Sequence, residues 1–299
     1  MYRIDRDIVD RLVEGSIDFH VHVGPDPIRR RRLDALDLAR QAKGAGMRAA
    51  VIKNHYYDTS SLAYAANKVV SGFSLMGSLV LNSAVGGLNP EATEVAVRLG
   101  AKVIWMPTYS SIVDVEKRRT EESNMSLTNR AATSKGINLM SKDGRLIPEV
   151  VSILQIARES NTVIGTGHIS IPEIYAIVEA ARDFDIKVTV THPLNESYGS
   201  KLTLAQQLEL VGKGAFMEHC FLDFVPSPRG EPDFTLLVDY IKSVGVENCV
   251  LCTDFGQYQN PTPLEGFRMM LIELLKAGLS ETEIEIMVKT NPALLLGMD

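Results

Sequence analysis

Seven residues of this chain are suited by type and position to act together. His20 and His22 stand two apart in SIDFHVH, His55 ends VIKNH, His168 ends TVIGTGH, His192 ends KVTVTH, His219 falls in AFMEHC, and Asp254 ends CVLCTD. Each lies at or just past the end of a short apolar run that reads as a β-strand. Imidazole and carboxylate are donors to divalent cations, and two or three imidazoles plus a carboxylate, with one position left to water, make the open coordination of a catalytic zinc. Such a water ionises near neutral pH and becomes a nucleophile. His20, His22, His168, His192 and Asp254 are therefore the expected metal ligands. Asp254 is also the expected proton acceptor. Lys53 and His55 share strand parity, so both are expected to point inward and act at the site, where a lysine can stabilise a developing oxyanion.

These residues need a scaffold that brings many strand ends to one place. The strand candidates are residues 16–22, 47–54, 73–82, 101–108, 162–168, 187–192, 214–220 and 248–254. Helical patterns alternate with them. Residues 33–43 form one that stops at Gly44, and Asn89-Pro90 reads as an N-cap followed by proline at the first helical position. Ser170 with Glu173, Thr203 with Gln206 and Ser280 with Glu283 have the spacing of capping boxes. Strict β/α alternation over this length predicts a (β/α)₈ TIM-type barrel formed by one domain over residues 1–299, with an open doubly wound sheet as its competitor. On the first strand, alternation predicts that Asp18, His20 and His22 all face inward. The N-terminal pattern of Ile4, Ile8 and Leu12 predicts a helix closing the barrel floor, not a signal peptide.

One spacing is irregular. Residues 109–161, between the fourth and fifth strands, include a long polar stretch and then INLMSKDGRL, which reads as a hairpin turning at Asp143-Gly144. An insertion there emerges on the catalytic rim, so a lid or a subunit contact, and with it a homo-oligomer, is compatible with its position. Past the first strand, Arg29 and Arg30 of the run Arg29–Arg32 are the expected contacts to an anionic small-molecule substrate. Glu218 and His219 must face opposite sides of their strand. Glu218 is the one expected inside, near substrate or metal.

Bulk properties exclude other classes. A net charge of -6 argues against a nucleic-acid surface, and no apolar run approaches the ~20 residues of a membrane span. Cys220, Cys249 and Cys252 offer no disulfide framework, which suits a cytoplasmic protein. Cys249 and Cys252 are three apart on a strand and cannot share a metal.

The motifs DFHVH, GTGHIS, VTHP, CTDFG and the closing NPALLLGM resemble the amidohydrolase superfamily, in particular a branch of metal-dependent hydrolases, from Asp18 to the C-terminus. The resemblance implies a (β/α)₈ barrel with one or two divalent ions, most often zinc. It assigns His20 and His22 to the first-strand ligands, His168 and His192 to the fifth and sixth strands, and Asp254 to the eighth. In single-metal members the sixth-strand histidine often orients water or substrate instead. The usual fourth-strand lysine or glutamate is missing, since Lys102 stands at the wrong end of its strand; Lys53 or Glu218 could substitute. The expected reaction is attack of metal-activated water on an amide, lactam or lactone carbonyl. The first strand and Lys53-Asn54-His55 also resemble the polymerase-and-histidinol-phosphatase phosphoesterases, although their later aspartate-x-histidine is absent. Phosphoester cleavage is therefore the first alternative, non-oxidative decarboxylation the second, and a non-catalytic metal-braced barrel the third.

Overall fold

The computed structural model describes residues 6–120, 135–195, 201–225 and 233–298. Eight strands lie in sequence order in one sheet: β1 (Ile17–Val21), β2 (Ala49–Ile52), β3 (Ser74–Val80), β4 (Ala101–Trp105), β5 (Val163–Gly165), β6 (Val188–Thr191), β7 (Ala215–Cys220) and β8 (Cys249–Cys252). Every neighbouring pair from β1–β2 to β7–β8 is parallel. Parallel strands covered on both faces must be apolar throughout, and AAVI, VIG and CVLC are buried at every position. Helices follow the strands and cover the outside, giving a (β/α)₈ barrel.

The seam between β8 and β1 closes just past the end of β8. Asp254 N–H donates to His20 O (2.8 Å), and His22 N–H donates to Phe255 O (2.7 Å). Asp18 adds a side-chain clasp, accepting from Thr253 N (3.0 Å) and Thr253 Oγ1 (2.5 Å).

Inside the barrel, Phe19, Val51, Val103, Trp105 and Val250 form a core that continues into Leu295 and Leu296 of the helix Asn291–Leu296. That C-terminal helix plugs the floor. The helix Arg6–Val13 lies elsewhere: it buries Val9, Leu12 and Val13, and Asp10 and Arg11 pair with Arg268 and Glu281 of the helices Pro263–Lys276 and Glu281–Glu285. It braces the wall, which corrects the expectation that it closes the floor.

The helix punctuation read from sequence is present. All three expected capping boxes form, and a fourth joins Thr262 to Glu265. Asn89 caps Pro90–Arg98 through bonds from Glu91 N and Ala92 N. The second helix begins at Ala35, two residues later than its apolar pattern, because Asp34 takes the cap and accepts from Asp37 N. In the insertion, Ile112–Thr120 forms a helix, Ser111 bridges Ile137, and Met140 bridges Leu146 around the turn at Asp143-Gly144. The expected polar stretch of the insertion falls largely on residues 121–134, outside the described residues. No helix among the described residues is long and apolar enough to cross a membrane.

Candidate metal centre

Strand β1 departs from simple alternation in a way that builds the site. Its register against β2 shifts between Asp18 and Val21. Ile17 and Phe19 join the inner core, yet His20 also faces inward, its ring 5.3 Å from that of Trp105. An extra residue in a strand rotates the side chains beyond it. Asp18 consequently does not share the inward row of His20 and His22, as alternation predicted. It is spent on the seam, and burial lifts its pKa to about 6 against the lowering effect of its bonds to Thr253.

Three imidazoles converge on Asp254 above this floor. His20 Nε2 and His22 Nε2 lie 3.2 and 2.9 Å from Asp254 Oδ1, and His192 Nε2 lies 3.6 Å from Asp254 Oδ2. Asp254 (φ 53°) and His192 (φ 55°) both adopt left-handed backbone conformations, which non-glycine residues adopt at a cost. His55 stacks on His22 with ring centres 4.9 Å apart, and the ring of His168 is 5.5 Å from that of His192. Five of the six histidines therefore meet at one mouth. His219 does not: it faces outward beside Phe221 and Phe224, with neither ring nitrogen hydrogen-bonded.

Each of four rings has its Nδ1 edge fixed by an oxygen from another element. Glu218 holds His20 (2.7 Å), Asp114 holds His168 (3.0 Å), Asp223 holds His192 (2.9 Å) and Thr108 holds His55 (2.8 Å). Such partners set ring orientation and raise ligand basicity. Glu218 is itself anchored by Thr189 and Thr191 hydroxyls and lies below the cavity, not among its lining residues. Sequence reading missed Asp114, Asp223 and Thr108.

Electrostatics match cation binding. Burial holds His22 at about 3 and His168 at about 4, the latter despite Asp114, and burial with neighbouring His22 and Lys53 holds His55 well below the usual range. These rings are neutral at physiological pH, the form that ligates metal. Burial opposes charge on His20 too, as does Lys53, but Asp254 outweighs them and raises its pKa well above the ordinary value. Burial likewise opposes ionisation of Asp254 and Glu218, yet their histidine partners hold Asp254 far below the usual carboxylate range and Glu218 at about 2. The His20 ring lies between two carboxylates, Glu218 at Nδ1 and Asp254 at Nε2, which marks where positive charge is wanted.

The five imidazoles, Lys53 and Asp254 line one cavity of about 220 Å³. Arg29 and Arg31 reach its rim. Arg31 is locked onto Asp26 Oδ2 by Nε (2.9 Å) and Nη2 (2.7 Å), whereas Arg29 lies over the ring of Tyr109, which stacks on His55. Arg30 does not line the cavity: it is exposed and covers the ring of Tyr258.

A model for a family of unknown function (DUF6282) matches residues 15–218. The chain belongs to that family. The match runs from β1 to Glu218, and Asp254 lies beyond it. No curated protein matches the chain by sequence. Among solved structures, an amidohydrolase from Pseudomonas aeruginosa is 12% identical with a TM-score of 0.63, each chain covered to 97%. The probable dipeptidase PvdM from the same organism is 11% identical with a TM-score of 0.64 over 99% of both chains. A 2,6-dihydroxybenzoate decarboxylase from Rhizobium is 12% identical with a TM-score of 0.55, over 96% of this chain and 99% of the other. At such identities the likeness is one of fold.

The DUF6282 chain has a donor set that fits a divalent cation. Ligand atoms of His20, His22 and Asp254 lie within 4.8 Å of one another, and His20 Nε2, buried and 3.2 Å from Asp254 Oδ1, forms an ion-pair contact there without hydrogen-bond geometry. Two nitrogens and an oxygen, with His168 and His192 beside them, suit zinc or a similar first-row ion.

Proposed function

We propose that this protein is a cytosolic, metal-dependent hydrolase of a small anionic molecule, cleaving an amide, lactam or lactone. One observation carries the reading: the His20, His22 and Asp254 donors meet at the wall of an open cavity and not in closed core. A bracing metal has no use for such a cavity, whereas a catalytic one needs it. When bound, the cation supplies Lewis acidity, polarising the substrate carbonyl and acidifying a neighbouring water.

The chain's own residues do the rest. Asp254, ionised at neutral pH, receives a proton from the attacking water and passes it to the leaving group. Lys53 is buried and has no hydrogen-bond partner; burial lowers its pKa, Glu218 and Asp254 oppose that, and its charged form can meet an oxyanion as charge develops there. His55 stays neutral, and with Tyr109 it offers a flat wall for a planar substrate. Arg29 contributes a guanidinium at the rim for a substrate carboxylate. The cavity is smaller than the ~300–1,000 Å³ typical of pockets for drug-sized ligands, which limits the substrate to a compact molecule.

The test combines metal analysis with a substrate panel. Zinc-reconstituted protein should hold at least one ion per chain and turn over carboxylated lactones or amides, with p-nitrophenyl phosphate inert. His20→Ala should lose both metal and turnover. Hydrolysis of the phosphate ester alone, or carbon dioxide release without hydrolysis, would replace this reading with a phosphoesterase or a decarboxylase.

A further inference from the structure

The hydrolytic chemistry uses none of the cysteines, yet two of them meet inside the barrel. Cys220 and Cys252 are register partners at the ends of β7 and β8, and their sulfurs are 3.4 Å apart. Cys220 Sγ lies 3.7 Å from His20 Nδ1 and 3.9 Å from Glu218 Oε1. The latter two atoms are 2.7 Å apart. All four ligand atoms fall within 4.8 Å of one another, in residues that are fully buried.

A tetrahedral zinc with bonds of about 2.3 Å to sulfur and about 2.05 Å to nitrogen or oxygen needs S···S near ~3.8 Å, S···N or S···O near ~3.6 Å and N···O near ~3.3 Å. Four of the six edges of the cluster already come within about 0.6 Å of those values, and the two from Cys252 Sγ to His20 and Glu218 lie within 4.8 Å. The plain alternative is that both thiols are apolar filler, as buried cysteines usually are. Both sulfurs pack in the inner apolar core, but Cys220 also faces a carboxylate and an imidazole, while Cys252 Sγ touches Cys220 Sγ and donates to His219 O (3.6 Å). Lys53 is buried without a hydrogen-bond partner; burial lowers its pKa while Glu218 and both sulfurs oppose that, so an excess of anionic ligands around a dication would favour its charged form. Cys249 shows the contrast: it packs in the outer layer and reaches only Gly245 O among the described residues.

We propose that Cys220, Cys252, Glu218 and the Nδ1 edge of His20 form a second cation site, beneath the first and selective for a thiophilic dication such as zinc. It rests on the metal-dependent hydrolase reading, because His20 serves the mouth site through Nε2 and so bridges the two. Binding replaces the His20 Nδ1–Glu218 hydrogen bond with bonds from both atoms to the cation, which then fixes the ring, and releases one proton from each thiol and the Nδ1 proton of His20 to solvent. The sulfur ligands discriminate against magnesium and calcium, which prefer oxygen.

The experiment is an anaerobic cobalt(II) titration of chelator-stripped full-length protein, reading the near-ultraviolet thiolate-to-cobalt charge-transfer band and the bound cobalt. Wild type should bind two ions per chain and develop the band. Cys220→Ser and Cys252→Ser should each bind one ion and lack it, and Cys249→Ser should behave as wild type. X-ray absorption at the zinc edge of wild type, independent of any variant's folding, should show sulfur at about 2.3 Å. A wild-type chain with no thiolate band, or a band that persists in both variants, overturns the proposal. One cobalt without the band, alongside intact hydrolysis, sinks the second site and leaves the hydrolase; two cobalts with the band and no turnover on any substrate does the reverse.

Discussion

Four imidazoles at the mouth are each gripped from behind, and the grips come from two stretches of the chain, residues 108–114 and 218–223. Loss of one grip should loosen a ring without removing a ligand. Asp223→Asn and Asp114→Asn are each expected to weaken zinc affinity by about 10–100-fold, measured by competition with a chromogenic chelator; unchanged affinity would mean that the rings need no orientation. His219 gives a different expectation. Burial holds it neutral with a pKa of about 3, whereas an unfolded chain titrates near ~6.5. Between those values the unfolded chain binds a proton that the folded chain refuses. This group therefore costs ~1.4 kcal/mol of stability for each pH unit of acidification below ~6.5, and the cost vanishes above that pH. His219→Leu should flatten the dependence of the denaturation midpoint between pH 6.5 and 4.5, and raise stability at neutral pH by about 1–3 kcal/mol as two unsatisfied nitrogens disappear. An unaltered acid slope would refute the assignment. The meeting of His20, His22, His168, His192 and Asp254 at one mouth was legible in the sequence because strand ends mark the rim of a barrel. Asp114, Asp223 and Thr108 were not, since they sit in connections where no periodicity says which way a side chain turns.

The strand–loop units carry the precision of the site. Gly256, just past Asp254, has φ +139°, and a Cβ there would fall 1.9 Å from His22 O. Gly256→Ala must push the backbone of β1 away from β8. It is expected to lower the melting temperature and to strip the metal; wild-type zinc content in this variant would contradict the close approach. In the loop after β1, Asp26 caps Ile28 and Arg29 and neutralises Arg31, with both side chains of the pair buried. Asp26→Ala leaves a buried guanidinium uncompensated, an expected loss of about 3–5 kcal/mol by chemical denaturation. Element positions were readable because capping residues and strand-length apolar runs are local signals. The register shift in β1 leaves no local mark, which is why Asp18 could be assigned to the inward row when it in fact clasps the seam. The floor was misassigned for a similar reason: Ile8 and Leu12 show that a helix has an apolar face but not which wall that face meets.

For the molecule as a whole, the cation would tie the first strand to the last. Such a ligand binds only the closed barrel and stabilises it by about 2.7 kcal/mol at a free concentration 100-fold above Kd. Thermal denaturation should therefore shift upward progressively with added zinc and fall back with chelator, and His22→Ala should abolish the response. A melting temperature indifferent to zinc would mean that the folded chain does not hold it. The barrel itself was legible because eight alternations of strand and helix leave few other topologies. The seam that joins β8 to β1 also bears on how the protein is made. His20 and His22 leave the ribosome early and Asp254 late, so a nascent chain carries two exposed imidazoles long before it can present them with their carboxylate. Selective uptake of a cation at that mouth would then await completion of the eighth strand, and newly synthesised protein would pass through an interval in which it is whole but still unloaded.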